Sequence, residues 1–259
     1  MRRVAPLLIL SVLAAGGGPA MAGQTACWFE NGAVVAPAAI GGLAGDYVID
    51  LSAPRTLLHE TAAQRGGYAD TALTLSVLVA GQRTPATAVV VKDLDYRGVG
   101  FSTPITGVIG ADILDRYVVT LDFAPCRLRL EPPGATPNPE GEAMRVVMVS
   151  GVPTVVAAAS DGNKGVSGPF ALDTASNGAV RARGAANGPR QKPAGDLRAL
   201  SLDGTLRQHL PAVVAGDLPD GVVGALGVGV LSAYRLRLDP KALRLWLTPV
   251  PVLAVAKPK

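Results

Sequence analysis

Histidine, cysteine and aromatic side chains are scarce in this sequence: 2 His, 2 Cys and 4% Phe, Trp and Tyr among 259 residues. The histidines, His59 and His209, stand at metal-ligand spacing neither from each other nor from a cysteine, so no metal centre is expected; His59 is expected on an exposed helix face. There is no G-x-S-x-G elbow and no histidine beside a candidate serine, which leaves a Ser-His-Asp triad without support. Few aromatics and scattered arginines provide no base-stacking surface and no basic footprint, which argues against nucleic acid. The glycines at 224, 227 and 229 lack the order G-x-G-x-x-G, so a dinucleotide loop is rejected. No apolar run approaches the roughly 20 residues needed to cross a bilayer, so stable membrane insertion is not expected.

What the N-terminus does contain is a leader pattern. Met1-Arg2-Arg3 is basic, Val4 to Ala15 is almost wholly apolar, and Ala20-Met21-Ala22 before Gly23 has small residues at the positions that signal peptidase reads. Residues 1–22 are therefore read as a signal peptide and the protein as exported, periplasmic or secreted. Loss of Arg2 and Arg3 lowers the formal net charge from +4 to +2. A competing reading, lipidation at Cys27, lacks the usual Leu-type residue upstream. Cys27 and Cys126 both fall on the oxidising side of the cut, where a disulfide can form; two unpaired buried thiols are the alternative.

The chain also repeats itself. Gly107-Val108-Ile109-Gly110-Ala111 recurs as Gly221-Val222-Val223-Gly224-Ala225, and after three extra residues Tyr117 falls on Tyr234, Leu121-Asp122 on Leu238-Asp239 and Arg127-Leu128 on Arg244-Leu245. Upstream, Val34 to Ile40, a Gly41-Gly42 turn and Asp46 to Ile49 lead into Asp50; Val152 to Ala159, a polar turn and Pro169 to Leu172 lead into Asp173. Each reads as strand, turn, strand ending on an acid. Prolines at 132, 133, 137 and 139 exclude both helix and central strand. The domain reading is therefore a first lobe at 23–131, a linker at 132–142, a second lobe at 143–248 and a tail at 249–259. Short strands rich in Val and Leu, cut by Gly and Pro, predict an all-β fold of two small barrels. One helix is predicted over Leu57 to Arg65, stopped by Gly66-Gly67.

An apolar strand ending in Asp, followed by small or hydroxyl residues and, some fifty to sixty positions later, an apolar-apolar-Gly step, resembles the signature of the pepsin and retropepsin aspartic peptidases. Phe170 to Ser176 with Val222-Val223-Gly224 is the nearer match, and Asp50-Leu51-Ser52-Ala53 with Val108-Ile109-Gly110 the poorer. The likeness spans the mature chain and is greatest to bacterial exported forms with two fused retropepsin-like lobes facing a central cleft. It implies an endopeptidase in which Asp50 and Asp173 share a proton, one activating water and the other acting as acid, with no metal or organic cofactor. The implied ligand is a peptide or an unfolded protein segment, and fused lobes remove the need to dimerise, so a monomer is expected.

The active-site loops depart from the family's Asp, Thr or Ser, Gly. Thr174 keeps the hydroxyl but Ala175 replaces the glycine; in the first lobe Leu51 stands at the hydroxyl position and Ser52 at the glycine. Gly110 and Gly224 complete the set of loop-support residues. A lobed protein that has lost turnover and serves as a peptide-binding or assembly module is the alternative function. Asp112, Asp122 and Asp239 are read as structural. Gly66-Gly67-Tyr68 is read either as part of a flap or as a helix stop before a core strand.

Overall fold

The computed structural model describes residues 22–135, 139, 141–183, 192–215 and 218–250. Residues 1–21 of the signal-peptide reading, 136–138 and 140 of the linker and 251–259 of the tail lie outside the described residues.

Alternation of apolar and charged residues builds the sheet that joins the two halves. Its six strands run in the order Gly23–Ala26, Cys126–Glu131, Val118–Phe123, Tyr234–Asp239, Arg244–Pro249, Met144–Arg145. Every neighbouring pair is antiparallel, and the halves meet where Leu121 faces Leu236 and Val119 faces Leu238. Successive side chains point to opposite faces. Leu128, Leu130, Val119, Leu121, Leu236, Leu238 and Leu245 thus go inward to a core that continues through Ile49 and Leu51 of one half and Phe170 and Leu172 of the other. Arginines and acids occupy the outer face.

Each half then forms its own sheet. The first has seven strands, Trp28–Glu30, Ala33–Ile40, Leu43–Ile49, Gly107–Ile109, Leu57–His59, Gln82–Lys92 and Ala72–Val79 in spatial order. Ala72–Val79 also pairs with Ala33–Ile40, curling the sheet toward a barrel. The second has nine strands, with Gly165–Leu172 between Val152–Ser160 and Gly224–Leu226. The Gly41-Gly42 turn has φ of 59° and 86°, values at which a side chain is strained.

In both halves the strand that ends on the acid lies parallel to a short glycine-led strand. Tyr47, Val48 and Ile49 face Gly107, Val108 and Ile109; Phe170, Ala171 and Leu172 face Gly224, Ala225 and Leu226. The backbone N–H of Asp50 donates to Ile109 O, and that of Asp173 to Leu226 O. Gly107 therefore corresponds to Gly224, and the four-residue helices Ala111–Leu114 and Val228–Leu231 correspond in turn. This corrects the sequence register. The counterpart of Gly110 is Gly227, not Gly224, and the same frame carries Tyr117 onto Tyr234 without an insertion. Val-Val-Gly at 222–224 misled because it repeats the residue types of 108–110.

The predicted helix begins late. Leu57–His59 is a strand, and the helix is Glu60–Arg65, with His59 as N-cap accepting from Thr61 N. His59 is buried rather than exposed, its Nε2 3.0 Å from Asp95 Oδ1; a capping role turns the ring inward, and helical periodicity does not apply at a cap. Gly66 and Gly67 end this helix, and the Tyr68 hydroxyl donates to Gly41 O while its ring packs on the core. That is a helix stop, not a flap.

Cys27 and Cys126 form a disulfide with Cα atoms 4.9 Å apart, across a sequence separation of 99. It ties the entry of the first half to the joining sheet. In the chain-entropy view, closing so long a loop contributes roughly 4 to 5 kcal/mol. Cys27→Ser/Cys126→Ser is therefore expected to lower the melting temperature by on the order of 10 °C. Calorimetry of the two proteins checks this, and an unchanged transition would count against it.

Candidate active site

Asp50 and Asp173 are each 1% exposed, and both line a cleft of about 640 Å³ between the two halves. Each carboxylate sits at the end of a buried apolar strand where the chain turns sharply. Close backbone crossings hold these turns. Ala111 N donates to Ala53 O, and Val228 N donates to Ser176 O. A Cβ at Gly110 would come within 2.6 Å of the Arg55 backbone, and one at Gly227 within 2.0 Å of Gly178 O. Glycine is needed at both for space. Thr56 adds a second tie in the first half: its hydroxyl donates to Asp112 Oδ1 and accepts from Gly110 N. Asp112 is thus structural.

The hydrogen bonds of the two acids match. Asp50 Oδ1 accepts from Ser52 N at 2.8 Å, and Asp173 Oδ1 from Ala175 N at 3.0 Å. Asp50 Oδ1 also accepts from the Ser52 hydroxyl at 2.7 Å and from Ala53 N at 3.1 Å. Neither Ser52 nor Ala175 obstructs the loop for want of a glycine: both are part-buried and each supplies its N–H to the carboxylate.

Thr174 carries the brace between the halves. Its hydroxyl donates to Ile49 O at 2.6 Å and accepts from Leu51 N at 3.1 Å, while its carbonyl accepts from Val34 N at 2.8 Å. The reciprocal side-chain bond from the first half is absent because residue 51 is leucine, and Leu51 packs instead into the shared core at 2% exposure. Of the expected site residues, Asp50, Leu51, Ser52, Thr174, Ala175, Asp173 and Gly110 come together. Gly224 lies in the supporting strand, where a Cβ would strike the Phe170 ring.

Two residues missed in the sequence dominate the electrostatics. Arg97 Nη1 lies 2.7 Å from Asp50 Oδ2, and Arg181 Nη1 lies 2.7 Å from Asp173 Oδ2. They arrive from unrelated places. Arg97 ends the 3₁₀ turn Asp95–Arg97, with a side chain 26% exposed; Arg181 sits in the strand Val180–Arg183, with a side chain 10% exposed. Arg181, one of two arginines in Val180-Arg181-Ala182-Arg183 shortly after Asp173, offered a signal in the sequence. Arg97 offered none, being brought in by the loop after the strand Gln82–Lys92.

Burial pushes the Asp173 carboxyl above the ordinary carboxylate range, and the nearby charge of Asp50 pushes it further; Arg181 opposes both without cancelling them. For Arg97, burial works against the charged form, but attraction to Asp50 and the hydrogen bond to it outweigh that and leave it more firmly protonated than usual. The chemistry this permits is asymmetric. Asp173 is the member whose carboxyl is held above the ordinary range, while Asp50 accepts four hydrogen bonds.

No protein-family model and no curated protein sequence matches the chain. Among solved structures, the crystal structure of an aspartic proteinase from Irpex lacteus is similar over 91% of this chain and 99% of its own, with a TM-score of 0.54 and 11% identity. At that identity the likeness is one of fold. The chain has the two-lobed, all-β fold of the aspartic proteinases.

Proposed function

We propose that this is an exported protein that binds extended peptide segments in an aspartic-proteinase cleft and does not hydrolyse them while Arg97 is docked on Asp50. The observation that carries this reading is the pair of arginine contacts on the two acids. Peptide hydrolysis needs one carboxylate free to take a proton from water and a second carboxyl to donate one. Three of the four donors on Asp50 converge on Oδ1, and Arg97 alone holds Oδ2. Arg97 therefore competes with water for that oxygen.

Peptide binding is supported by the rim. Tyr96 and Val99, 60% and 69% exposed, stand over the cleft on the loop that carries Arg97, with Leu218 and Pro219 on the opposite half. Exposed apolar side chains beside a groove with polar walls suit a chain whose side chains alternate in direction. The solved neighbour is itself a proteinase. Export is supported by the leader pattern and by the disulfide; no described helix is long and apolar enough to cross a membrane. A cofactor-free monomer remains part of the reading.

A second reading, slow hydrolysis by the dyad, is favoured by one observation: the raised Asp173 carboxyl, influenced by Asp50, is the state a general acid needs. The test incubates mature protein with labelled unstructured peptides from about pH 3 to about pH 8, the range in which carboxyl dyads titrate. Binding without cleavage is expected, weakened on the order of tenfold in Tyr96→Ala/Val99→Ser, the scale of losing buried apolar contacts. Cleavage by the wild type that disappears in both Asp50→Asn and Asp173→Asn would replace the first reading with the second.

Arg97→Ala leaves Asp50 buried without its cation, which is expected to cost about 3 kcal/mol, at the lower end for a broken buried pair because Arg97 is partly exposed. Asp173 supplies a pH dependence. Its raised folded value means the native state binds the proton more tightly, so its contribution to stability is present below the ordinary carboxylate range and is lost as pH rises through the folded value. Melting temperature at neutral pH checks the cost of Arg97→Ala, and melting temperature against pH for wild type and Asp173→Asn checks the sign: Asp173→Asn flattens the decline of the wild type. An unchanged melting temperature in Arg97→Ala would contradict the ion-pair account.

A further inference from the structure

The outer face of the joining sheet carries a second feature, separate from the cleft and sharing no lining residue with it. Arg127 and Arg129 project from the strand Cys126–Glu131, and Arg235 and Arg237 from Tyr234–Asp239; between them runs Val118–Phe123, which presents the short side chains of Thr120 and Asp122. Flanking strands lie about 10 Å apart across a middle strand, and alternate residues about 7 Å apart along one. Four long guanidinium side chains thus wall a trough whose floor is Thr120 and Asp122, a hollow of about 290 Å³.

The charges do not balance. Arg235 pairs with Asp122, and Arg237 with Glu131 at 2.5 Å, while Arg129 stands 3.9 Å from the same Glu131. The Arg127 side chain has no ion pair among the described residues. Two guanidiniums are in excess over the two carboxylates. Arg237 is 8% exposed and lines the hollow, yet its Nε has no hydrogen-bond partner among the described residues. A buried guanidinium nitrogen is rarely left so without a use. Nor is the arrangement a by-product of the repeat. In the register that places Tyr117 on Tyr234, Arg235 and Arg237 stand where the first half has Val118 and Thr120, and Arg129 stands where the second has Trp246.

We propose that this trough is a binding site for a phosphate group, taken by Arg127 and Arg129 from one wall and by Arg235 and Arg237 from the other. Guanidinium forks match the paired oxygens of phosphate and hold them through charge-assisted hydrogen bonds. Thr120 supplies a hydroxyl at the floor, where it already accepts from Arg237 at 3.2 Å. The group could belong to a soluble phosphate or to a lipid headgroup, and the chemistry of capture is the same.

The experiment titrates the full mature protein with inorganic phosphate and pyrophosphate against chloride at matched ionic strength, by calorimetry and by melting temperature. Saturable binding that raises the melting temperature is expected. Arg127→Gln/Arg129→Gln, which removes two exposed side chains and leaves the buried pair intact, is expected to bind about tenfold more weakly or worse, the scale of one or two charge-assisted hydrogen bonds. Arg65→Gln/Arg83→Gln, with the same change in net charge elsewhere on the surface, should bind as the wild type does. Co-sedimentation with phosphatidylglycerol or phosphatidylcholine vesicles separates the sources: retention on the former, lost in Arg127→Gln/Arg129→Gln, identifies a headgroup, and no retention identifies a soluble phosphate. The site is overturned if neither phosphate nor vesicle binds, if Arg127→Gln/Arg129→Gln binds as tightly as the wild type, or if Arg65→Gln/Arg83→Gln loses as much.

Discussion

Two carboxylates buried against each other demand compensation, and much of this structure answers that demand. Asp50 and Asp173 are shielded from water and feel each other's charge. Burying an acid costs free energy unless opposite charge or hydrogen bonds meet it. Here backbone amides take one oxygen of each acid and an arginine takes the other. The geometry keeps a two-fold character at the carboxylates although the arginines come from unlike segments, a strand in one half and a loop turn in the other. Charge balance can be reached from whichever segment passes within reach, so it leaves little trace in chain order.

That compensation also shapes what the cleft can do. A dyad poised for hydrolysis has one acceptor open to water; this one has an arginine there, carried on the loop that also forms the cleft's apolar rim. In the proposed reading, opening the site and binding a peptide are linked through a single segment. The Asp95 end of that segment is held from within by the buried His59.

The brace beneath the acids is one-sided for a packing reason. Thr174 reaches across to Ile49 and Leu51 and receives Val34, so one hydroxyl and one carbonyl hold the halves together. On the other side Leu51 gives up the reciprocal hydrogen bond and gains burial in a core continuous through both halves. Below the cleft, the joining sheet repeats the division of labour. Leucine and valine on its inner face seal the core, and cross-half ion pairs, Arg235 with Asp122 and Arg237 with Glu131, lie on its outer face. Asp122 is one of these partners, whereas Asp239 caps its turn by accepting from Lys241 N and Ala242 N.

Local pattern determined a good deal here. Val34 to Ile40 and Pro169 to Leu172 could be read as strands because residues bound for a pleated, half-buried surface are β-branched or apolar and are bounded by Gly and Pro. The approach of each strand to an Asp and the all-β class followed from the same kind of evidence; for Cys27 and Cys126 an exported context permitted a disulfide, and the structure decided between that and two thiols. What the sequence could not settle was register between look-alike triplets: Val222-Val223-Gly224 imitates Val108-Ile109-Gly110, and the parallel pairing of Phe170 with Gly224 assigns the role to Gly227 instead. Nor could it place Arg97 on Asp50, 47 residues apart in the chain, or turn His59 inward. Hydrophobic periodicity reports which face of an element is buried, whereas partners of buried charge are fixed by where loops close in space, and only the tertiary structure decides that.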